Sequence, residues 1–169
     1  MNSTELLTEL VNTKTSIIIN CCDTLCDISL SPEKQQELIR ACKELDLYNA
    51  KRILDEVDTS NLGMPFNEMA TINIMRSHLD DCCSALYAEA YRVLVGTFRM
   101  APDNYKLLRR VSSAIERIEV KRPAEALRRI RKLQELVKED PNVPFESNRT
   151  AILNALNLAG NILEPLVKQ

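Results

Sequence analysis

Only three glycines, Gly63, Gly96 and Gly160, occur among 169 residues, and this scarcity restricts the fold more than any other feature. Tight β-hairpins favour Gly or Asn-Gly where the backbone turns through positive φ, so three glycines argue against a meander of such hairpins. The chain is instead rich in Leu, Ala, Glu, Lys and Arg, the strong helix formers. Its apolar residues recur at three- and four-residue spacing, the period of a helix with one buried face. The expectation is an all-α bundle of seven or eight helices. Aromatic residues make up 4% and Trp is absent, so the core must be built from aliphatic side chains, Met and Cys.

Prolines punctuate the pattern. Ser3 or Thr4 is placed to cap a first helix running to about Ile28, with Leu6, Leu10, Ile17, Cys21, Leu25 and Ile28 on its stripe. Ser31-Pro32-Glu33 combines a capping hydroxyl, a proline at the first helical position and an acid in the first turn, and so starts a second. Asp46 or Asn49 opens a third, followed by a polar loop from Asp58 to Gly63. Met64-Pro65-Phe66-Asn67 leads into a fourth, whose stripe is Ile72, Met75, Leu79, Cys83 and Leu86. The helical pattern then runs through Tyr91, Leu94 and Val95 without a visible break. Ala101-Pro102-Asp103 starts another helix, striped by Leu108, Val111, Ile115 and Ile118, and Lys121-Arg122-Pro123 the next, through Leu127, Ile130, Leu133 and Val137. The loop Asp140 to Phe145 precedes a final helix carrying Ile152, Leu156 and Ile162.

This punctuation repeats. Pro32 corresponds to Pro102 and Pro65-Phe66 to Pro144-Phe145. We therefore expect two related helical units in tandem, residues 1–90 and 91–169, sharing one core, because a duplicated helical unit buries its open face against its copy. In each, Pro fixes φ at the helix entry and the Phe beside it is expected to pack back as a hydrophobic staple. Residues Pro65, Phe66, Pro144 and Phe145 are thus read as structural turns.

The C-terminal quarter also carries a recognisable run: Arg122-Pro123-Ala124-Glu125-Ala126, then Leu133-Gln134-Glu135, the loop Asp140-Pro141-Asn142-Val143-Pro144, and Arg149-Thr150. From Val120 to Leu163 this resembles a small family of uncharacterised archaeal helical proteins. The resemblance implies a compact helical bundle and no assigned activity.

Charge and cysteine content bear on function. Residues 1–90 carry 7 Lys/Arg against 15 Asp/Glu, and residues 91–169 carry 15 against 9. The halves are therefore oppositely charged, an arrangement that steers partners. The first residues lack the basic and apolar regions of a signal peptide, and no apolar run reaches the roughly 20 residues of a membrane span. The expected setting is cytoplasmic, with six reduced cysteines rather than a disulfide framework.

Three sets of residues carry candidate chemistry. Cys22 and Cys26 lie four apart on one helix, His78 and Cys82 four apart on another. Together they make a Cys3His set of the kind that holds zinc, although their places on apolar faces equally suit core packing. Lys106, Arg109, Arg110 and Arg117 share a narrow arc of one helix, and Arg128, Arg129, Arg131 and Lys132 follow on the next. This basic face suits an acidic protein, the chain's own acidic half, or nucleic acid. Arg131 also has Glu135 four residues on as a neighbour. For catalysis the chain offers a single histidine and no glycine-rich phosphate loop, which argues against an enzyme. The leading expectation is a non-catalytic scaffold or adaptor for protein–protein interaction, a homodimer included. The alternatives are a thiol- or zinc-dependent sensor built on Cys22, Cys26, His78 and Cys82, and a nucleic-acid accessory protein using Lys106 to Lys132.

Overall fold

A computed structural model describes residues 2–60, 63–141, 143 and 146–169. The chain is all-α, with seven α-helices and no strand among the described residues: α1 (Ser3–Cys22), α2 (Pro32–Lys43), α3 (Leu47–Asp55), α4 (Phe66–Gly96), α5 (Tyr105–Glu119), α6 (Pro123–Glu139) and α7 (Glu146–Leu163). Short 3-10 turns follow α4 at Thr97–Arg99 and α7 at Glu164–Leu166. Among the described residues no helix is long and apolar enough to cross a membrane. The helices gather into two compact units, Met1–Ala85 with Lys168 and Leu86–Val167 with Gln169, and the division falls inside α4.

In the first unit α1 packs on α2 and α2 on α3. The capping residue of α1 is Asn2, one position before Ser3. Its side chain accepts from the Glu5 N–H at 2.8 Å while the Glu5 carboxylate accepts from the Asn2 N–H at 3.0 Å, a reciprocal capping box. The face that α1 buries is Val11, Thr15, Ile18 and Cys22. Leu6, Leu10 and Ile28 from the expected stripe are exposed, which rotates the buried face by about one residue, or roughly 100°. Both stripes are apolar enough to serve, and packing selects between them. The Thr15 hydroxyl is accommodated by donating to the Val11 carbonyl at 2.8 Å.

α1 also ends six residues earlier than its periodicity implies. Asp23 is its C-cap and the Thr24 hydroxyl donates to the Cys21 carbonyl at 2.8 Å. The Cys26 N–H donates to the Glu68 carboxylate of α4 at 2.6 Å instead of continuing the helix. The Glu68 carboxylate also accepts from the Ser29 hydroxyl at 2.8 Å and from the Cys26 thiol at 3.2 Å. One buried acid thus clamps the connection from α1 to α2.

Ser31 and Asp46 cap α2 and α3 as their sequences imply, and Pro32 occupies the first turn of α2. Pro102, its expected counterpart, does not start a helix: α5 begins at Tyr105 with Asn104 as its cap, whose side chain accepts from the Leu107 N–H at 3.1 Å. The entry to α4 also differs from expectation. Phe66 is 84% exposed, so it staples nothing, and Met64 is the residue tucked inward. The Pro65 carbonyl accepts from the N–H groups of Glu68 and Met69, both at 3.1 Å, which makes Pro65 the cap and Met64 the residue before it, where a staple belongs. Pro144 and Phe145 lie outside the described residues.

In the second unit α5 packs on α6 and α6 on α7. Buried residues are Leu107, Val111, Ala114, Ile115 and Ile118 of α5, Ala126, Ile130, Leu133 and Val137 of α6, and Ile152, Leu156, Ala159, Ile162 and Leu163 of α7.

The same turn closes α2 and α5. Leu45 and Lys121 have φ of 55° and 57°. In the first turn the Asp46 N–H reaches the Ala41 carbonyl at 2.8 Å and the Leu45 N–H the Cys42 carbonyl at 3.2 Å; in the second, the Arg122 N–H reaches the Arg117 carbonyl at 2.8 Å and the Lys121 N–H the Ile118 carbonyl at 3.0 Å. These are Schellman caps in which an L-residue holds the place that glycine favours.

Candidate functional site: a basic groove on the α5–α6 hairpin

The left-handed turn at Lys121 folds α6 back antiparallel along α5, which brings basic residues distant in sequence to one surface. Two adjoining clefts of about 340 Å³ each lie along this surface. The first is lined by Arg110 and Ser113 of α5 and by Arg128, Arg129 and Lys132 of α6. The second is lined by Lys106 and Leu107 at the start of α5 and by Val137, Glu139, Asp140 and Pro141 at the end of α6. Arg110, Leu133 and Leu136 line both, so the two are lobes of one groove. From Arg128 to Asp140 it runs about 18 Å at the helical rise.

The cations of the groove are held by elements rather than by acids. Lys106 and Arg110 are one helical turn apart on α5, as are Arg128 or Arg129 and Lys132 on α6. Among the described residues Lys106, Arg110, Arg128, Arg129 and Lys132 have no carboxylate partner; Arg129 donates to the Ser113 hydroxyl across the hairpin. The floor is apolar: Leu107, Leu133 and Val137 are buried, and Leu136 stands 37% exposed. An unpaired set of like charges repels itself, and an anion placed among them relieves that repulsion.

The remaining residues of the expected basic face go elsewhere. Arg117 pairs with Glu125 at 3.4 Å across the α5–α6 turn. Arg131 reaches along α7 to the 3-10 turn that follows it, where it pairs with Glu164 at 2.7 Å rather than with Glu135, and its guanidinium packs where a Cβ on Gly160 would stand. Arg109 is exposed on α5 and lines neither lobe.

The cysteines occupy a different setting, all within the first unit. Among the described residues no three His, Cys, Asp or Glu side chains gather to hold a metal ion, so Cys22, Cys26, His78 and Cys82 are not brought to one point. Cys22 and Cys82 are buried, Cys26 is exposed, and His78 is half-buried with its Nδ1 unpartnered. Burial pushes the thiols of Cys22 and Cys82 up to about 11 and that of Cys42 to about 12; Cys42 also feels both other thiols. Cys42 was not singled out from the sequence, and nothing in its spacing marks it. Cys42 comes near Cys22 because α2 packs on α1, and it also lies close enough to Cys82 to feel that thiol. Thiols so far above neutral pH stay protonated and unreactive.

Comparison with known proteins finds no matching family model, no matching curated protein and no matching solved structure.

Proposed function

We propose that this chain is a non-catalytic scaffold or adaptor, and that the groove on the α5–α6 hairpin docks an acidic segment of a partner protein. The observation that carries this reading is the combination of five cations without carboxylate partners around a leucine and valine floor. A peptide with carboxylates flanking an apolar side chain matches both features at once. Nucleic acid would match the charge, but the floor offers aliphatic side chains where base stacking calls for aromatic ones. The opposite charges of the two halves extend the same logic to a second copy of the chain, whose acidic residues are candidates for the groove.

Fluorescence polarisation with a labelled 16-residue Glu/Leu peptide at low salt tests the reading, with single-stranded DNA of equal charge as competitor. Arg110, Arg128 and Lys132 are exposed, so reversing them should leave the helical circular dichroism unchanged. Arg110→Glu with Arg128→Glu should weaken the peptide by roughly 10-fold or more, taking about 1 kcal/mol for each pair lost or made repulsive. Tighter binding of the DNA, or peptide affinity indifferent to these substitutions, would sink the reading.

We also infer that the two units are copies of one four-helix design. Two structural features support it, neither of them the proline spacing, because Pro102 does not open α5 as Pro32 opens α2. Left-handed Schellman turns at Leu45 and Lys121 join the second helix of each unit to its third. In each unit an arginine of the fourth helix ties down the end of the third, though from different turns of that helix: Arg76 donates to the Leu54 and Val57 carbonyls at 2.6 Å, and Arg149 to those of Lys138 and Asp140 at 2.6 Å.

A further inference from the structure

We propose that the groove is polarised and accepts its partner in one direction only, with the partner's acids at the Ser113–Arg128 end and a basic residue at the Glu139–Asp140 end. This deepens the docking function proposed above and rests on it. The two lobes differ in charge although they share a floor. The lobe at the Ser113 end is lined by Arg110, Arg128, Arg129 and Lys132 and by no acid. The lobe at the other end is lined by Lys106 and Arg110 but also by Glu139 and Asp140. Asp140 is held in place there by Asn104, whose side-chain amide donates to it at 3.0 Å.

The direction follows from where each charge can sit. A carboxylate at the Ser113 end meets only cations and a leucine floor, where the local dielectric is lower than in bulk water and attraction is stronger. The same carboxylate at the far end meets Glu139, and like charges facing each other across an interface are rejected. Leu136, common to both lobes and half open to solvent, is the apolar contact between the two poles. The partner segment implied is therefore acidic, then apolar, then basic, over about 18 Å: some 12 residues if helical.

The experiment uses the full chain and three fluorescent peptides of equal length and leucine content. One has four Glu at one end and two Lys at the other, one has Glu at both ends, and one has Lys at both ends. The Glu–Leu–Lys peptide should bind at least 3-fold more tightly than the Glu–Leu–Glu peptide, and Glu139→Lys should reverse that order. A photocrosslinker on its Glu end should label residues near Ser113 and Arg129, and one on its Lys end residues near Leu107 and Glu139. If the peptides with one and two acidic ends bind equally, or the crosslinks are scrambled between the lobes, polarity is wrong and the docking reading survives. If neither acidic peptide binds better than the Lys peptide, docking and polarity both fall.

Discussion

At the scale of single residues, Glu68 shows how one side chain can end a helix far away in sequence. Its carboxylate accepts from the Cys26 thiol, the Cys26 N–H and the Ser29 hydroxyl, and these bonds hold it below the usual carboxylate range. A group whose folded value is depressed adds stability above its unfolded value and loses it as pH falls through the folded value. Glu68→Gln keeps the shape but not the charge. It should therefore lower the melting temperature at pH 7, with the gap to the parent closing as pH drops below about 4, the carboxylate range. A gap that persists unchanged in acid, followed by circular dichroism, would mean the carboxylate's charge is irrelevant to the clamp. Neither the early end of α1 nor the role of Glu68 was readable beforehand. The apolar period continues to Ile28, and only the approach of α4 offers the Cys26 N–H a better acceptor.

At the scale of elements, the caps were largely readable because they depend on neighbours within four residues. Ser31 before Pro32, and Asp46 three residues before Asn49, declare themselves in the sequence, and their side chains accept from the N–H groups of Lys34 and Asn49 at 3.3 and 3.2 Å. The helix C-termini were not, because Leu45 and Lys121 are residue types that rarely signal a left-handed turn. An L-residue at positive φ is strained by roughly 1–2 kcal/mol. Lys121 is exposed and has no packing to lose, so Lys121→Gly should raise stability by about 0.5–1 kcal/mol, part of the relief being offset by the looser unfolded chain. Urea unfolding monitored at 222 nm gives the midpoint. Lys121→Ala should show no such gain, since alanine keeps the Cβ that strains the turn. The hairpin made by this turn is also what creates the groove. Helical spacing puts eight basic residues on a common face, and the antiparallel return of α6 brings five of them to one groove while Arg117 and Arg131 turn to Glu125 and Glu164.

At the scale of the whole molecule, chemistry is unevenly divided. All six cysteines belong to the first unit and none to the second. By charge, the first unit carries 8 Lys/Arg against 14 Asp/Glu and the second 14 against 10. Thiol reactivity is therefore a private reporter of the first unit. In native protein at pH 8 a disulfide reagent should modify exposed Cys26 at once, while Cys22, Cys42 and Cys82, protonated by burial, should wait for that unit to open. Mass spectrometry of the quenched reaction resolves the order. Immediate modification of all six would show that the thiols of the first unit are not packed as described.

By itself the sequence determined that the chain is helical, where several helices begin, and that its basic residues concentrate in the second half. These are matters of period and of contacts a few residues apart, which the chain carries locally. The tertiary structure decided which of two apolar stripes on α1 turned inward, that Met64 rather than Phe66 was buried, and that Cys42 joined Cys22 and Cys82. It also decided which cations faced a common groove. Those outcomes depend on which surface packs against which, and apolar burial is non-directional: any face of the right size will serve until a neighbouring helix selects one.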